Sequence, residues 1–351
     1  MNILVLGAGG TAGINFIECL LNYYVGWGYN VIGCDINQWH LKLIESIFGI
    51  SCHLIDEIGN NDFERVNRIN EIIETEKIDF IHAQPDIEVE FLSNNRKEIN
   101  AKMFLPDPHT IAVCRNKLIT SKLLGGLSPV SYSANDEGIG YKIQQLQSIS
   151  DCQKVWLRAV KGAGSKAALP VTTEKQALDW IHYWIETHRL ETEDFMISEY
   201  LPGKEYAFQS IWKDGELITS MARERIEYLM GNLFPSGQSS TPSVAKTVHN
   251  DKVNVIATQA VYNVDKKANG IFCVDMKEDQ FGMPKVTEIN AGRFFTTCNF
   301  FAFYGANMPD TYVKLGMGKV INELPKYNAI PKDITWIRGI DCLPRGIEDG
   351  N

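Results

Sequence analysis

The first hundred residues alternate short apolar runs with stretches of helical period, and this alternation limits the fold more than any other feature. "NILVLGA", "NVIGCDI", "CHLID" and "DFIHAQ" are strand-length runs separated by helix-like segments. Strands joined by helices must run parallel, because each crossover returns the chain to the same end of the sheet. The first run enters "GAGGTAG", where Gly7, Gly9 and Gly10 precede a helix, and the second ends in Asp35. A glycine turn between strand and helix, with an acidic side chain about 20 residues on, has the pattern of a dinucleotide fingerprint. The same glycines serve packing alone, since a residue without Cβ permits the turn and a close helix. An NAD(P)-dependent oxidoreductase is therefore one reading, and a parallel sheet with no cofactor at its turn is another. A dehydrogenase also needs a proton-handling group beside the nicotinamide, and none of the seven histidines stands out by spacing or context.

At 351 residues the chain has room for two or three compact units. "FLPDP" at 104–108 punctuates it, which predicts an α/β unit over 1–106 and a second unit over 107–345. A single helix is expected in "HTIAVCRNKLITSKLL" just after that boundary. From about 155 the runs "VWLRAV", "AALPV", "FMISEYL", "EYAFQSIW", "ELITSMAR", "IFCVDM" and "KVTEIN" read as strands of an antiparallel-rich α+β fold, with a small lobe and flap around 155–200. "YLMGNLFPSGQSSTPS" at 228–243 has no hydrophobic period and reads as a long loop. The formal net charge of −9 argues against a phosphate-backbone binder, so nucleic acid is not expected as a partner. The eight cysteines never come closer than fifteen positions, which gives no metal or redox pattern and suits reduced thiols in the cytoplasm. No apolar run of about 18 residues and no charged leader are found, so neither a membrane span nor a signal peptide is expected.

Two stretches of the second half carry chemistry. In "IFCVDMKEDQFGMPKVTEIN" two apolar runs flank a Gly/Pro turn, and pairing them places Asp275 opposite Glu288 and Asn290. Two carboxylates and an amide oxygen are hard donors suited to Mg2+, which takes one or two protein carboxylates and leaves phosphates and water to complete its shell. A solvated polar face is the alternative for such a hairpin. In "VWLRAVKGAGSKAALPV" a strand delivers Arg158 and opens into a loop with Gly162, Gly164, Ser165 and Lys166, able to lay backbone N–H groups over phosphates. A plain glycine hairpin is the alternative there. No GxxxxGK[ST] occurs, so the loop is not a Walker motif.

In this order the segments resemble the ATP-grasp superfamily, in particular half of a carbamoyl-phosphate synthase large subunit or biotin carboxylase, over nearly the whole chain. The resemblance implies a Rossmann-like pre-ATP-grasp domain whose glycine turn is not generally a dinucleotide site, followed by an α+β ATP-grasp fold. It implies Lys117 of "RNKLITSKLL" and Arg158 of "WLRAV" as phosphate contacts, with the flap at 162–166 above them. "ISEYLPGKEYAF" becomes the hinge, with Glu199, Tyr200 and Leu201 at the adenine edge and Glu205 at the ribose or in the second-lobe network. Asp275, Glu288 and Asn290 become the metal ligands, and Arg293 the arginine that steadies an acyl phosphate. The family's "EINPR" is "EINAGR" here, one residue longer before Arg293.

The activity implied is an ATP- and Mg2+-dependent ligase, with Mn2+ able to replace Mg2+, that joins a small-molecule carboxylate to an amine and releases ADP and phosphate. Arg223 and Arg225 of "MARERIEY" suit the incoming carboxylate, with a salt-bridged strand end as the alternative. Asp86 and Glu88 follow the fourth strand, where open α/β sheets gather ligands, and suit a substrate ammonium group or a helix start. A homodimer is compatible with this reading. A non-catalytic ATP-binding sensor is the remaining alternative.

Overall fold

The structure, a computed structural model, describes residues 1–23, 28–59, 61–135, 138–162, 167–239 and 241–339, together with the backbone of 345–348. The N-terminal part runs β1 (Asn2–Leu6), α1 (Thr11–Asn22), β2 (Asn30–Asp35), α2 (Gln38–Phe48), β3 (Ser51–Leu54), α3 (Asp62–Thr75), β4 (Phe80–Ala83) and α4 (Asp86–Asn94). Its strands form a parallel sheet in the order β3-β2-β1-β4. Ile3 to Leu6 of β1 are buried completely, as expected for a strand covered on both faces.

The glycine turn is closed by its own surroundings. Gly7 has φ +68°, and a Cβ there would meet the Pro85 ring at 2.3 Å. A Cβ on Gly13 would stand 2.5 Å from the Gly7 carbonyl, so α1 can rest on the turn only without a side chain. Asp35 turns its carboxylate back into the same turn, accepting from the Gly9 N–H at 2.9 Å and from the Asn37 N–H at 3.0 Å.

Next come α5 (Pro108–Arg115), α6 (Lys117–Leu124), β5 (Ser131–Ser133), α7 (Ile139–Ser150), β6 (Val155–Ala159), β7 (Leu169–Val171), α8 (Glu174–His188) and β8 (Phe195–Glu199). The helix expected after residue 108 is two helices, because Asn116 is extended (φ −103°, ψ 98°) and its side chain caps α6 by accepting from the Ile119 N–H. Strands β5, β8, β6 and β7 make a small antiparallel sheet in that order, backed by Ile143, Leu146, Ala177 and Ile181 of α7 and α8. This lobe takes in β5 and α7 as well as the 155–200 range.

The remaining elements are β9 (Glu205–Lys213), β10 (Glu216–Tyr228), β11 (Pro242–Val248), α9 (Asp251–Val264), β12 (Gly270–Glu278), β13 (Pro284–Ala291), α10 (Cys298–Phe303), α11 (Met308–Gly316), β14 (Ile334–Ile337) and β15 (Arg345–Glu348). Their strands form a seven-stranded antiparallel sheet, β13-β12-β9-β10-β11-β14-β15. Asp214 and Gly215, both at positive φ, make the two-residue turn of the β9–β10 hairpin. The register sets Glu288, Asp275, Ala207, Arg223 and Thr247 in one row across five strands, with Lys277, Glu205, Arg225 and Ala245 in the row two residues away. Directly paired residues point to the same side, so both rows share one face of the sheet. The opposite face puts Phe208, Ala222, Val274 and Ile289 into a core with Val253 and Ala257 of α9. Farther along the first face, Ile211, Met221 and Ile271 pack with Phe294, Phe300 and the β1 residues Ile3 and Val5.

Candidate functional site

A cleft of about 190 Å3 lies between the small sheet and the polar rows of the large one. Lys117, Arg158, Gly162, Glu199, Tyr200, Leu201, Glu205, Arg225, Asp275, Glu288, Asn290 and Arg293 all line it. Twelve residues named from the sequence thus converge from seven segments of chain.

Lys117 opens α6, so its backbone N–H is not committed to the helix and donates to the Val160 carbonyl at 3.0 Å. Its Nζ donates to the Gly162 carbonyl at 2.6 Å and stands 3.5 Å from Glu288 Oε1. Arg158 reaches across from β6 and donates to the Thr287 carbonyl at 2.8 Å, while burial lowers its affinity for the proton and the nearby Glu288 and Asp275 raise it. Gly162 closes this end at φ +102°. Ala163, Gly164, Ser165 and Lys166 lie outside the described residues.

Near the end of β8, Pro129, Trp156, Leu201 and Met276 supply apolar walls. Glu199 accepts from the Val130 N–H at 3.1 Å, and burial pushes its carboxyl above the usual carboxylate range. Glu205 sits in a hydrogen-bond network on the large sheet. It accepts from Lys277 Nζ at 2.5 Å, from Gln238 Nε2 at 2.6 Å and from the Tyr228 hydroxyl. Burial alone would raise its pKa, but Lys277 and Tyr228 outweigh that and hold it below the ordinary value.

The two carboxylates of the hairpin face each other in the register Asp275↔Glu288. Asp275 Oδ1 accepts from Arg225 at 2.5 Å and Oδ2 from Asn290 Nδ2 at 3.1 Å. Burial raises the Asp275 pKa, Arg225 opposes the rise, and Glu288 adds to it. Arg293 donates to Asn290 and to Asp86 at the start of α4, so one guanidinium joins the large sheet to the N-terminal part. The extra residue of "EINAGR" is absorbed by Gly292 at φ +89°, where a Cβ would meet Val89 at 2.7 Å. That reversal is what returns Arg293 to Asn290.

No family profile and no curated protein sequence matches the chain. Solved structures do. It resembles carboxyaminoimidazole ribonucleotide synthase from Aspergillus clavatus complexed with ATP, at a TM-score of 0.67 and 14% identity over 96% of this chain and 81% of that one. L-amino acid ligase from Bacillus licheniformis aligns at a TM-score of 0.65 and 13% identity, covering 95% and 78%. The biotin carboxylase domain dimer of Hydrogenobacter thermophilus 2-oxoglutarate carboxylase, in complex with MgADP, ADP and bicarbonate, aligns at 0.68 and 12%, covering 96% and 73%. The chain has the ATP-grasp fold.

Around the cleft, three side chains named from the sequence sit differently from expectation. Glu88 does not reach the cleft: it is buried against Arg65, whose Nη2 donates to both its carboxylate oxygens at 2.6 and 2.7 Å. Asp86 is engaged by Arg293 instead of standing open to an ammonium group. Arg223 is fully buried and does not line the cleft, because the Phe295 ring lies over it. Lys277, Tyr228 and Gln238 were missed. Lys277 had a signal, since it follows Asp275 by two and must share its face; the other two depend on how the 228–243 loop folds back.

The donor set suits a divalent cation. Burial and the facing Glu288 raise the cost of ionising Asp275, a cost that a bound positive charge would offset, and an amide stands beside them. Among the described residues no group of three or more His, Cys, Asp and Glu is close enough to hold a metal by itself.

Proposed function

We propose that the protein is an ATP- and Mg2+-dependent ligase that joins a carboxylate to an amine through an acyl phosphate, releasing ADP and phosphate. The observation that carries this reading is the gathering of Asp275 and Glu288 with four cations in one cleft, Lys117 paired with Glu288, Arg225 with Asp275, Arg293 with the neighbouring Asn290 and Arg158 with the Thr287 carbonyl. In this reading residues 1–106 are a Rossmann-like pre-ATP-grasp domain and 107–345 the ATP-grasp domain. The glycine turn serves packing, which is supported by the engagement of Asp35 with Gly9.

Adenine lies between Trp156, Leu201 and Met276 against the strand end at Glu199–Leu201, with the phosphates running toward Lys117 and Arg158. Asp275, Glu288 and Asn290 would hold the metal, which when bound would supply positive charge beside the phosphates. Arg225 and Arg293 orient the substrate carboxylate for attack on the γ-phosphorus. They then offset the charge of the acyl phosphate until the amine displaces phosphate. No covalent enzyme intermediate is needed, so positioning and charge neutralisation supply the rate. The free thiols of Cys19, Cys34, Cys114, Cys273 and Cys298, all buried, take no part and suit the cytoplasm.

Incubation with Mg·ATP, hydroxylamine and pools of small carboxylates tests this directly. The expected products are ADP, phosphate and a hydroxamate of one acid, which names the substrate. AMP and pyrophosphate would point instead to adenylation, and ATP binding without turnover to a sensor.

A further inference from the structure

We propose that Arg223 forms a second anion subsite behind the cleft, and that the carboxylate substrate carries a second anionic group which that subsite binds. The proposal rests on the ligase reading for the first carboxylate and on separate observations for the second.

Arg223 is the anomaly among the cations of this face. Arg225 has Asp275, Arg293 has Asp86, Lys277 has Glu205, Lys117 has Glu288 and Arg158 has a carbonyl. Arg223 is 0% exposed, and none of Nε, Nη1 and Nη2 has a hydrogen-bond partner among the described residues. Its guanidinium touches only ring faces here, 4.8 Å from the Phe295 centroid and 5.5 Å from that of Phe301. Of the two acids of its own row, Glu288 pairs with Lys117, and the Asp275 carboxylate is already shared by Arg225 and Asn290. Burial and the neighbouring Arg225 pull the Arg223 pKa down to about 9, which still leaves it charged at neutral pH. A buried charge without a partner is costly, and a planar fork of donors matches a carboxylate.

The subsite joins the cleft through Phe295. That ring lines the cleft and also stacks on Arg225 at 5.3 Å, so it separates the two guanidinium groups. Arg223 and Arg225 are two residues apart on β10, about 7 Å along the strand, a span suited to the two ends of a short dicarboxylate. A rotation of Phe295 opens the way.

The test is thermal melting of the parent, Arg223→Met and Arg223→Lys with succinate, sulfate or acetate at matched ionic strength, each with and without Mg·ADP. Succinate is expected to stabilise the parent more than acetate, and Arg223→Met to lose that difference while melting no lower than the parent in anion-free buffer. Arg223→Lys keeps the charge without the fork and is expected to retain the fold and weaken succinate binding about tenfold or more. In the hydroxamate assay, dicarboxylates are expected to outperform monocarboxylates. If Arg223→Met melts lower and leaves the anion response unchanged, Arg223 is a ring-stacked strut and the subsite is wrong. Sulfate binding with turnover of monocarboxylates alone would overturn the two-anion substrate in favour of a free oxyanion. An intact anion response without any Mg·ADP effect would sink the ligase reading and leave the subsite standing.

Discussion

Glu288 shows how far a single residue could be read from the chain. The period of two in "KVTEIN" put it beside Asn290 and across from Asp275, and the register agrees. Among the described residues its ion pair is the 3.5 Å contact with Lys117, a long contact between a buried ammonium and a carboxylate side chain 22% exposed, and that ammonium keeps the Gly162 carbonyl when the carboxylate is lost. Glu288→Ala is therefore expected to melt within a few degrees of the parent yet lose the stabilisation by Mg·ATP; equal stabilisation in both would remove Glu288 from the metal site. Arg223, by contrast, was not legible. It sits next to Arg225 in the same alternation, and nothing in "MARERIEY" says that Phe295, seventy residues away, covers one and leaves the other at the cleft. Glu88 failed for the same reason, since its partner Arg65 lies on a different helix.

Elements were legible where local chemistry dictates them. The four parallel strands follow from hydrophobic runs alone, and the Asp214–Gly215 hairpin from its turn residues. The break at Asn116 was missed because "RNKLITS" has good helical period on both sides, and only the cap geometry reveals the boundary. Two predictions belong at this scale. Gly13→Val should give insoluble or strongly destabilised protein, checked by soluble yield and melting temperature, since its side chain would collide with the Gly7 and Ala8 carbonyls. His82 of β4 is stacked at 4.0 Å on Phe16 of α1, and burial pushes its pKa down to about 3 from 6.5. Below pH 6.5 the unfolded chain takes a proton there that the folded one refuses, so stability must fall as pH drops toward 3. The slope is at most about 1.4 kcal/mol per pH unit. His82→Phe is expected to flatten that part of the curve of denaturant midpoint against pH; an unchanged slope would assign the acid sensitivity elsewhere.

At the scale of the whole molecule, the chain Asp86–Arg293–Asn290–Asp275–Arg225 ties α4 to β13, β12 and β10. Asp86→Asn should therefore lower hydroxamate formation far more than it lowers stabilisation by Mg·ADP, because it frees Arg293 without touching the hinge. Binding of NADH at about 100 µM, read as energy transfer from tryptophan, is expected to be absent, since the carboxylate that would meet a ribose is spent on Gly9. Lys117 has one more consequence, a mechanical one. Its amide grips Val160 and its ammonium grips Gly162, so a single residue pins both sides of the strand exit like a rivet. Replacing it with methionine removes a charge and also loosens that joint, and the two losses respond differently to salt. The part due to charge should fade as ionic strength rises, whereas the part due to slack should persist and appear as faster amide exchange at residues 160–162.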